Sequence, residues 1–291
     1  MINFHKFSFL DVKKLMQVFD EKNYFSTFYD PLWMFVWSDY YKFQIAYQND
    51  FVFIKFMMPK IGMCYYPPLN TNDYYMGCKI IEDDAKENGY DFYIGPIPEV
   101  LYYKILGQKA KMYDNRDFNS YTYLTYDLGF MFNPKLKARK KRSLNFQKKN
   151  PKVEIRNLVK EDFPSILEFI ENYRMKNKID DLKYFPYLNM IKKCMEHLYE
   201  FEIPALILKQ DDEVLGFALG GIYANTCTIY SIIADEKSGA YDYLLQIFSK
   251  KCSNGAKYIS VEADQGDMNR REKLEKLLPL KLEKFYATFS I

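Results

Sequence analysis

Residues 226–251 read TCTIYSIIADEKSGAYDYLLQIFSKK, and their periodicity changes in the middle. Cys227 to Ala234 is a run of β-branched and aromatic residues, the composition of a strand. Asp235 to Gly239 is a short polar loop. Beyond it Tyr241, Leu244, Leu245, Phe248 and Cys252 recur at the spacing that puts them on one helix face. A strand that turns through glycine into a helix presents the first-turn N–H groups, which suit an anion or a polarised carbonyl at Gly239, Ala240 and Tyr241. An ordinary strand-to-helix connection has the same pattern.

Downstream, the helix stops at Asn254-Gly255. A strand Lys257–Glu262, a helix from about Asn269 to Leu278 and a closing strand Lys281–Phe289 follow. Upstream lie a strand Val153–Leu158 and a helix opened by Asp162 and Pro164. A second helix holds Leu188, Ile191, Met195 and Leu198, and a hairpin joins Ala205–Leu208 to Val214–Tyr223. The order is β-α-α-β-β-β-α-β-α-β.

The first half has a similar order. A helix Phe9–Glu21 and an apolar helix opened by Asp30-Pro31 precede strands Tyr40–Tyr47, Phe51–Met58 and Gly62–Tyr66. Asn72 or Asp73 caps a helix that ends at Asn88-Gly89. A strand Tyr90–Ile94, a helix Pro98–Leu106 and strands Lys109–Tyr113 and Tyr121–Asp127 complete it. The sequence helix, Asn-Gly, strand, helix, strand thus occurs twice, about half a chain apart. That predicts an α/β chain, with mixed sheets in two related domains, 1–131 and 132–291.

Between the halves, KLKARKKRSLNFQKK (135–149) holds eight Lys and Arg and no acid. Asn133-Pro134 opens it as a basic helix, 133–149, by which the second domain is entered. Phe132, Leu136 and Leu144 are its only apolar stripe, so most of it faces water or an anionic partner. It is either a solvated connector or a binder of tRNA, other nucleic acid or an anionic lipid headgroup, with Arg139, Lys140, Lys141 and Arg142 on phosphate.

The 291 residues are 48% hydrophobic, enough for a real core, and the net charge of +3 specifies no partner. The longest uncharged apolar run, Val214 to Ala224, is far short of the ~20 residues of a spanning helix. No charged-then-apolar leader follows Met1, so no secretory signal and no transmembrane segment are expected. Five scattered cysteines without a C-x-x-C pair fit buried thiols in a cytoplasmic protein better than disulfides or a zinc site. Protein partners and oligomeric state are not legible.

YDPLWMFVWSDYYKFQIAY and YYPPL, the basic block leading into VEIRNLVKEDF, IADEKSGAYDYLLQIF and YISVEADQGDMNRREK occur in an order that resembles the phosphatidylglycerol lysyltransferase C-terminal domain-like family. The resemblance covers nearly the whole chain. It implies two tandem GNAT-like acyltransferase domains and kinship with Fem-type enzymes, which pass an aminoacyl group from aminoacyl-tRNA to an amine or hydroxyl. The implied donor is aminoacyl-tRNA and the implied acceptor a lipid headgroup or peptide. The family's lipid enzyme has a membrane-spanning domain before the catalytic one. This chain shows none, which argues against a lipid acceptor. Acyl-CoA is the alternative donor. Against it, the pyrophosphate-loop pattern Gln/Arg-x-x-Gly-x-Gly/Ala aligned on Gly239 meets Glu236, which would repel a pyrophosphate, and the bulky Tyr241.

Acyl transfer needs a proton acceptor and oxyanion donors. The chain's only histidines are His5 and His197; His197 falls on a wet helix face, which disfavours a Ser-His-Asp or Cys-His mechanism. Strand alternation puts Tyr258, Ser260, Glu262 and Asp264 on one face. Glu262 and Asp264 are therefore candidates to orient an amine or act as base; bordering solvent and capping the next helix is the plainer role. Arg271 could pair with them or contact phosphate. Tyr230 is a candidate proton donor, with Ser231 beside it. No metal ligand set is visible. A degenerate, non-catalytic binder of anionic lipid or nucleic acid is the third alternative.

Overall fold

The computed structural model describes residues 2–20, 26–105, 111–114 and 116–289. Glu21, Leu106 and Lys109, the ends of expected elements, lie outside them. In chain order the elements are β1 (His5–Lys6), α1 (Phe9–Asp20), α2 (Pro31–Val36), α3 (Ser38–Tyr41), β2 (Gln44–Gln48), β3 (Phe51–Met58), β4 (Gly62–Tyr65), α4 (Tyr74–Glu87), β5 (Ile94–Pro98), α5 (Glu99–Ile105) and β6 (Met112–Asp114). They continue with β7 (Ser120–Leu124), α6 (Thr125–Phe130), α7 (Lys137–Lys149), β8 (Val153–Asn157), α8 (Phe163–Asn177), α9 (Asp181–Glu196), β9 (Ala205–Gln210), β10 (Glu213–Tyr223), β11 (Thr226–Ala234), α10 (Ala240–Cys252), β12 (Tyr258–Val261), α11 (Met268–Glu275), β13 (Lys281–Glu283) and β14 (Phe285–Thr288).

Two seven-stranded mixed sheets form, β1-β2-β3-β4-β5-β14-β6 and β13-β7-β12-β11-β10-β9-β8. Each holds a parallel pair, β4 with β5 (Tyr65↔Ile94) and β11 with β12 (Thr226↔Tyr258 to Ile229↔Val261), beside antiparallel pairs such as β3 with β4 and β10 with β11. A helix, α4 or α10, makes the crossover each time, as a parallel pair requires. This is the repeat read from the sequence, and it gives two tandem GNAT-like folds.

The compact units are interleaved along the chain. Unit 1 is 1–120, 263–271 and 282–291; unit 2 is 121–262 and 272–281. The last stretch, expected as one strand of the second domain, is two: β13 joins the second sheet, while β14 pairs with β5 and β6 in the first. β7, expected at the end of the first domain, pairs with β12, Tyr258↔Leu124 to Val261↔Tyr121. Each half of the sequence thus gives a strand to the other half's sheet. Contiguous patterning cannot reveal that exchange, because a strand's alternation is the same whichever sheet it enters.

Asp30 caps α2, accepting from the Leu32 and Trp33 N–H groups at 2.9 and 3.2 Å. Tyr40 and Tyr41 end α3 instead of starting a strand, and the chain then turns through left-handed Lys42 (φ 51°) into β2. Asp162 does not cap α8 with its side chain: it forks onto Arg156 with two 2.7 Å bonds and accepts from the Val159 N–H. The core of unit 1 is α1 (Val12, Leu15, Phe19), α2 and β3; that of unit 2 is the β9–β12 face with Leu244, Leu245 and Phe248 of α10.

Candidate functional site

In unit 2 the pairing of β11 with β12 stops at Ile229↔Val261, although β11 continues to Ala234 alongside β10. The strands part there because β11 carries one extra residue: the register with β10 jumps between Leu219↔Ser231 and Gly220↔Ile229, leaving Tyr230 unpaired in a bulge. Tyr230 is buried, and its hydroxyl lies over Gly221, where an added Cβ would come within 1.9 Å of it. Glycine at 221 thus makes room for the phenol. Its neighbour Ser231 hydrogen-bonds the hydroxyl of Tyr187 on α9. Burial pushes the Tyr187 phenol well up, and the charge of Glu262 adds to the rise. Tyr187 therefore stays protonated at neutral pH, a donor and not a base. Periodicity placed Leu188 and Ile191 on α9 but gave no reason to single out Tyr187, because its partner is 44 residues away.

Two cavities flank the Asp235–Gly239 loop. One, about 610 Å³, lies along α8 and the ends of β10 and β11. Five acids line it (Glu168, Asp212, Glu213, Asp235, Glu236) against three lysines. Tyr173 in its wall feels that field: burial first, then Glu236 and Asp235, raise its phenol. The second, about 370 Å³, is lined by Arg139, Arg142, Lys237 and Lys273 against Glu236 and Asp242, with Tyr241 and Leu277 as walls. Electrostatics thus reverses across one loop. Lys273 pairs with Glu236 at 2.9 Å, so Glu236 does not present the bare repulsive charge expected of it.

The start of α10 differs from the expectation of open N–H groups. The Asp235 carboxylate accepts from the Lys237 and Ser238 N–H groups at 3.3 and 3.0 Å. Gly239, Ala240 and Tyr241 donate to the Glu236 carbonyl, the Ser238 hydroxyl and the Asp235 carbonyl. Gly239 (φ 92°) also backs onto α7, for a Cβ there would stand 2.7 Å from the Arg142 carbonyl oxygen. The glycine serves a helix–helix contact and its turn.

α7 lies on α10 through polar contacts. Arg139 and Arg142 donate to the buried Asp242 carboxylate at 2.8 and 2.6 Å, and Ser143 donates to Gln246 at 2.7 Å. Lys140 and Lys141 line neither cavity; the Lys140 ammonium sits 4.5 Å over the Phe132 ring.

Glu262 and Asp264 fall to different units. In unit 1, Asp264 is 1% exposed and accepts from Arg116 (3.2 Å), from Arg271 Nε and NH2 (3.1 and 2.7 Å) and from the Gly266 N–H (3.0 Å). Arg271 also donates to Asp117 at 2.6 Å, and both carboxylates hold its guanidinium firmly charged. A carboxylate held by two guanidiniums is a poor proton acceptor. Of the two roles weighed for Arg271, the pairing role is the one formed.

These features define a fold class, a tandem GNAT-like arrangement. Solved structures share it. A conserved protein of unknown function from Bacteroides thetaiotaomicron superposes with a TM-score of 0.90 at 18% identity, covering 99% of each chain. The C-terminal domain of a putative lysylphosphatidylglycerol synthetase from Agrobacterium fabrum gives 0.66 at 11% identity, over 96% of this chain and 91% of that one. L-PGS from Bacillus licheniformis gives 0.62 at 12%, over 95% and 90%. No protein-family model and no curated protein sequence matches the chain. Among the described residues no helix is long and apolar enough to cross a membrane.

Proposed function

We propose that the chain is an acyltransferase that moves an aminoacyl group from aminoacyl-tRNA to an amine or hydroxyl acceptor. One observation carries this reading: cavities of opposite charge flank the loop after the parted strand β11. The basic recess fits the phosphates of a donor, with Arg139 and Arg142 as the contacts kept from the sequence reading and Lys237 and Lys273 added. The acid-lined cavity fits a cationic group, such as an acceptor amine or the α-ammonium of the aminoacyl group. In the transfer, the acceptor nitrogen or oxygen bonds the acyl carbon and the ester C–O bond breaks. Glu262 takes the acceptor's proton and returns it to the ribose oxygen that leaves with the tRNA, and the Tyr187–Ser231 pair donates to the oxygen that gains charge. In this scheme Tyr230 and Gly239 shape the site without touching substrate.

The consumed N–H groups at the start of α10 favour this donor over acyl-CoA, whose pyrophosphate would use them. The test offers the purified chain radiolabelled aminoacyl-tRNA with amine and hydroxyl acceptors, and acetyl-CoA in parallel. Label in an acceptor, lost in Glu262→Gln, supports the reading. Transfer from acetyl-CoA alone overturns it in favour of the CoA alternative. Transfer from neither overturns it in favour of a non-catalytic binder.

A further inference from the structure

Opposite its contact with α10, α7 has a second face. At 100° per residue, Ser143 and Phe146 point inward, while Lys137, Lys141, Leu144 and Lys148 share the far side, all exposed. An aromatic cluster adjoins it. Phe132 is 61% exposed and Tyr126 56%. Phe130 and Phe132 stack with centroids 5.7 Å apart, and Tyr126 lies 4.6 Å from Phe130. Gly129 lets α6 approach α10 closely enough to build it, since a Cβ there would meet Lys250 at 3.1 Å. α7 has no acid; Asp127 is the acid within α6.

We propose that this α6–α7 face docks on an anionic lipid surface. Lysines around exposed rings match the headgroup layer, where the rings bury their apolar area and the ammonium groups snorkel to phosphate. Nucleic acid is the competing occupant, and ring geometry disfavours it. Base stacking needs open ring faces. Here the Lys140 ammonium lies 4.5 Å over Phe132 and the Lys250 ammonium 5.2 Å over Phe130, and the two rings stack on each other. The faces of Phe130 and Phe132 are thus partly covered, and what Phe132 and Tyr126 expose is apolar area that a headgroup layer can bury. The inference is independent of acyl transfer: it uses lysines that line neither cavity, and binding without any transfer activity would leave it standing.

The test is co-sedimentation of the full chain with vesicles of phosphatidylcholine alone or mixed with phosphatidylserine or phosphatidylglycerol. Binding to both anionic mixtures and not to phosphatidylcholine is expected. Lys137→Gln with Lys141→Gln should weaken it about 25-fold, roughly fivefold per lysine. Phe132→Ser should weaken it too, without shifting the melting temperature, and Phe132→Trp should show blue-shifted emission on anionic vesicles. Absence of anionic binding overturns the proposal, as does binding that these variants leave unchanged. Binding to phosphatidylglycerol but not phosphatidylserine would mark a headgroup-specific pocket and also overturn it. So would binding of bulk tRNA, weakened by Phe132→Ser, in place of vesicle binding.

Discussion

The strand–helix–strand unit occurs twice, and its two helices bury an acid differently. In unit 1, Asp84 of α4 accepts from the Tyr65 hydroxyl of β4 at 2.8 Å and stands 3.6 Å from the Lys55 ammonium of β3, so the acid latches its helix onto its own sheet. In unit 2, Asp242 of α10 turns away from the sheet and is satisfied by Arg139 and Arg142 of α7. The smaller of the two described cavities takes Tyr241 and Asp242 of α10 into its lining. The comparison teaches that one supersecondary unit can tie its helix to its own sheet or to a neighbouring helix, depending on which element satisfies a single buried carboxylate.

The most disruptive test is Asp84→Ala. It strands the buried Lys55 ammonium, and denaturant unfolding should show a loss of ~3–5 kcal/mol. A loss below ~1 kcal/mol would mean that the latch does not hold unit 1 together. Next, Tyr187→Phe should slow aminoacyl transfer by about 100-fold while unfolding free energy changes by no more than ~1 kcal/mol. Equal transfer rates would detach the hydroxyl pair from the chemistry and remove the functional contrast between the units.

A pair of glycines sharpens the packing side. Gly239 (φ 92°) and Gly62 (φ 108°) are both left-handed, but an added Cβ meets the Arg142 carbonyl at 2.7 Å at the first and nothing within 4 Å at the second. Gly239→Ala should therefore cost at least ~1 kcal/mol more than Gly62→Ala; equal costs would show that α7 yields freely. The smallest effect concerns pH. The Arg156 guanidinium holds the Asp162 carboxyl below its ordinary value, against burial. A depressed folded value stabilises the fold fully above the unfolded pKa of about 3.9, and the stabilisation fades as pH falls through the folded value. Asp162→Asn should flatten the acid limb of unit 2 unfolding below about pH 4.

The repeat was legible because period and punctuation are local: Asn88-Gly89 and Asn254-Gly255 end matching helices before matching strands. The bulge at Tyr230 was not, since it shows only in the register between β10 and β11. Glu236 was read as a bare repulsive charge because Lys273 is 37 residues away in sequence. Arg139 and Arg142 read as phosphate binders, and nothing near them in sequence announces that they also hold Asp242, about 100 residues on.

The sequence alone determined the kinds and order of most elements, the doubled strand–helix–strand unit and the concentration of positive charge between the halves. These follow from neighbours a few residues apart, where backbone sterics and side-chain period act. Tertiary structure alone decided which sheet received β7 and β14, which carboxylates were spent on arginines and where space remained beside α10. Those outcomes depend on partners brought together from distant parts of the chain, and burial makes each polar group accept whichever partner the packing supplies.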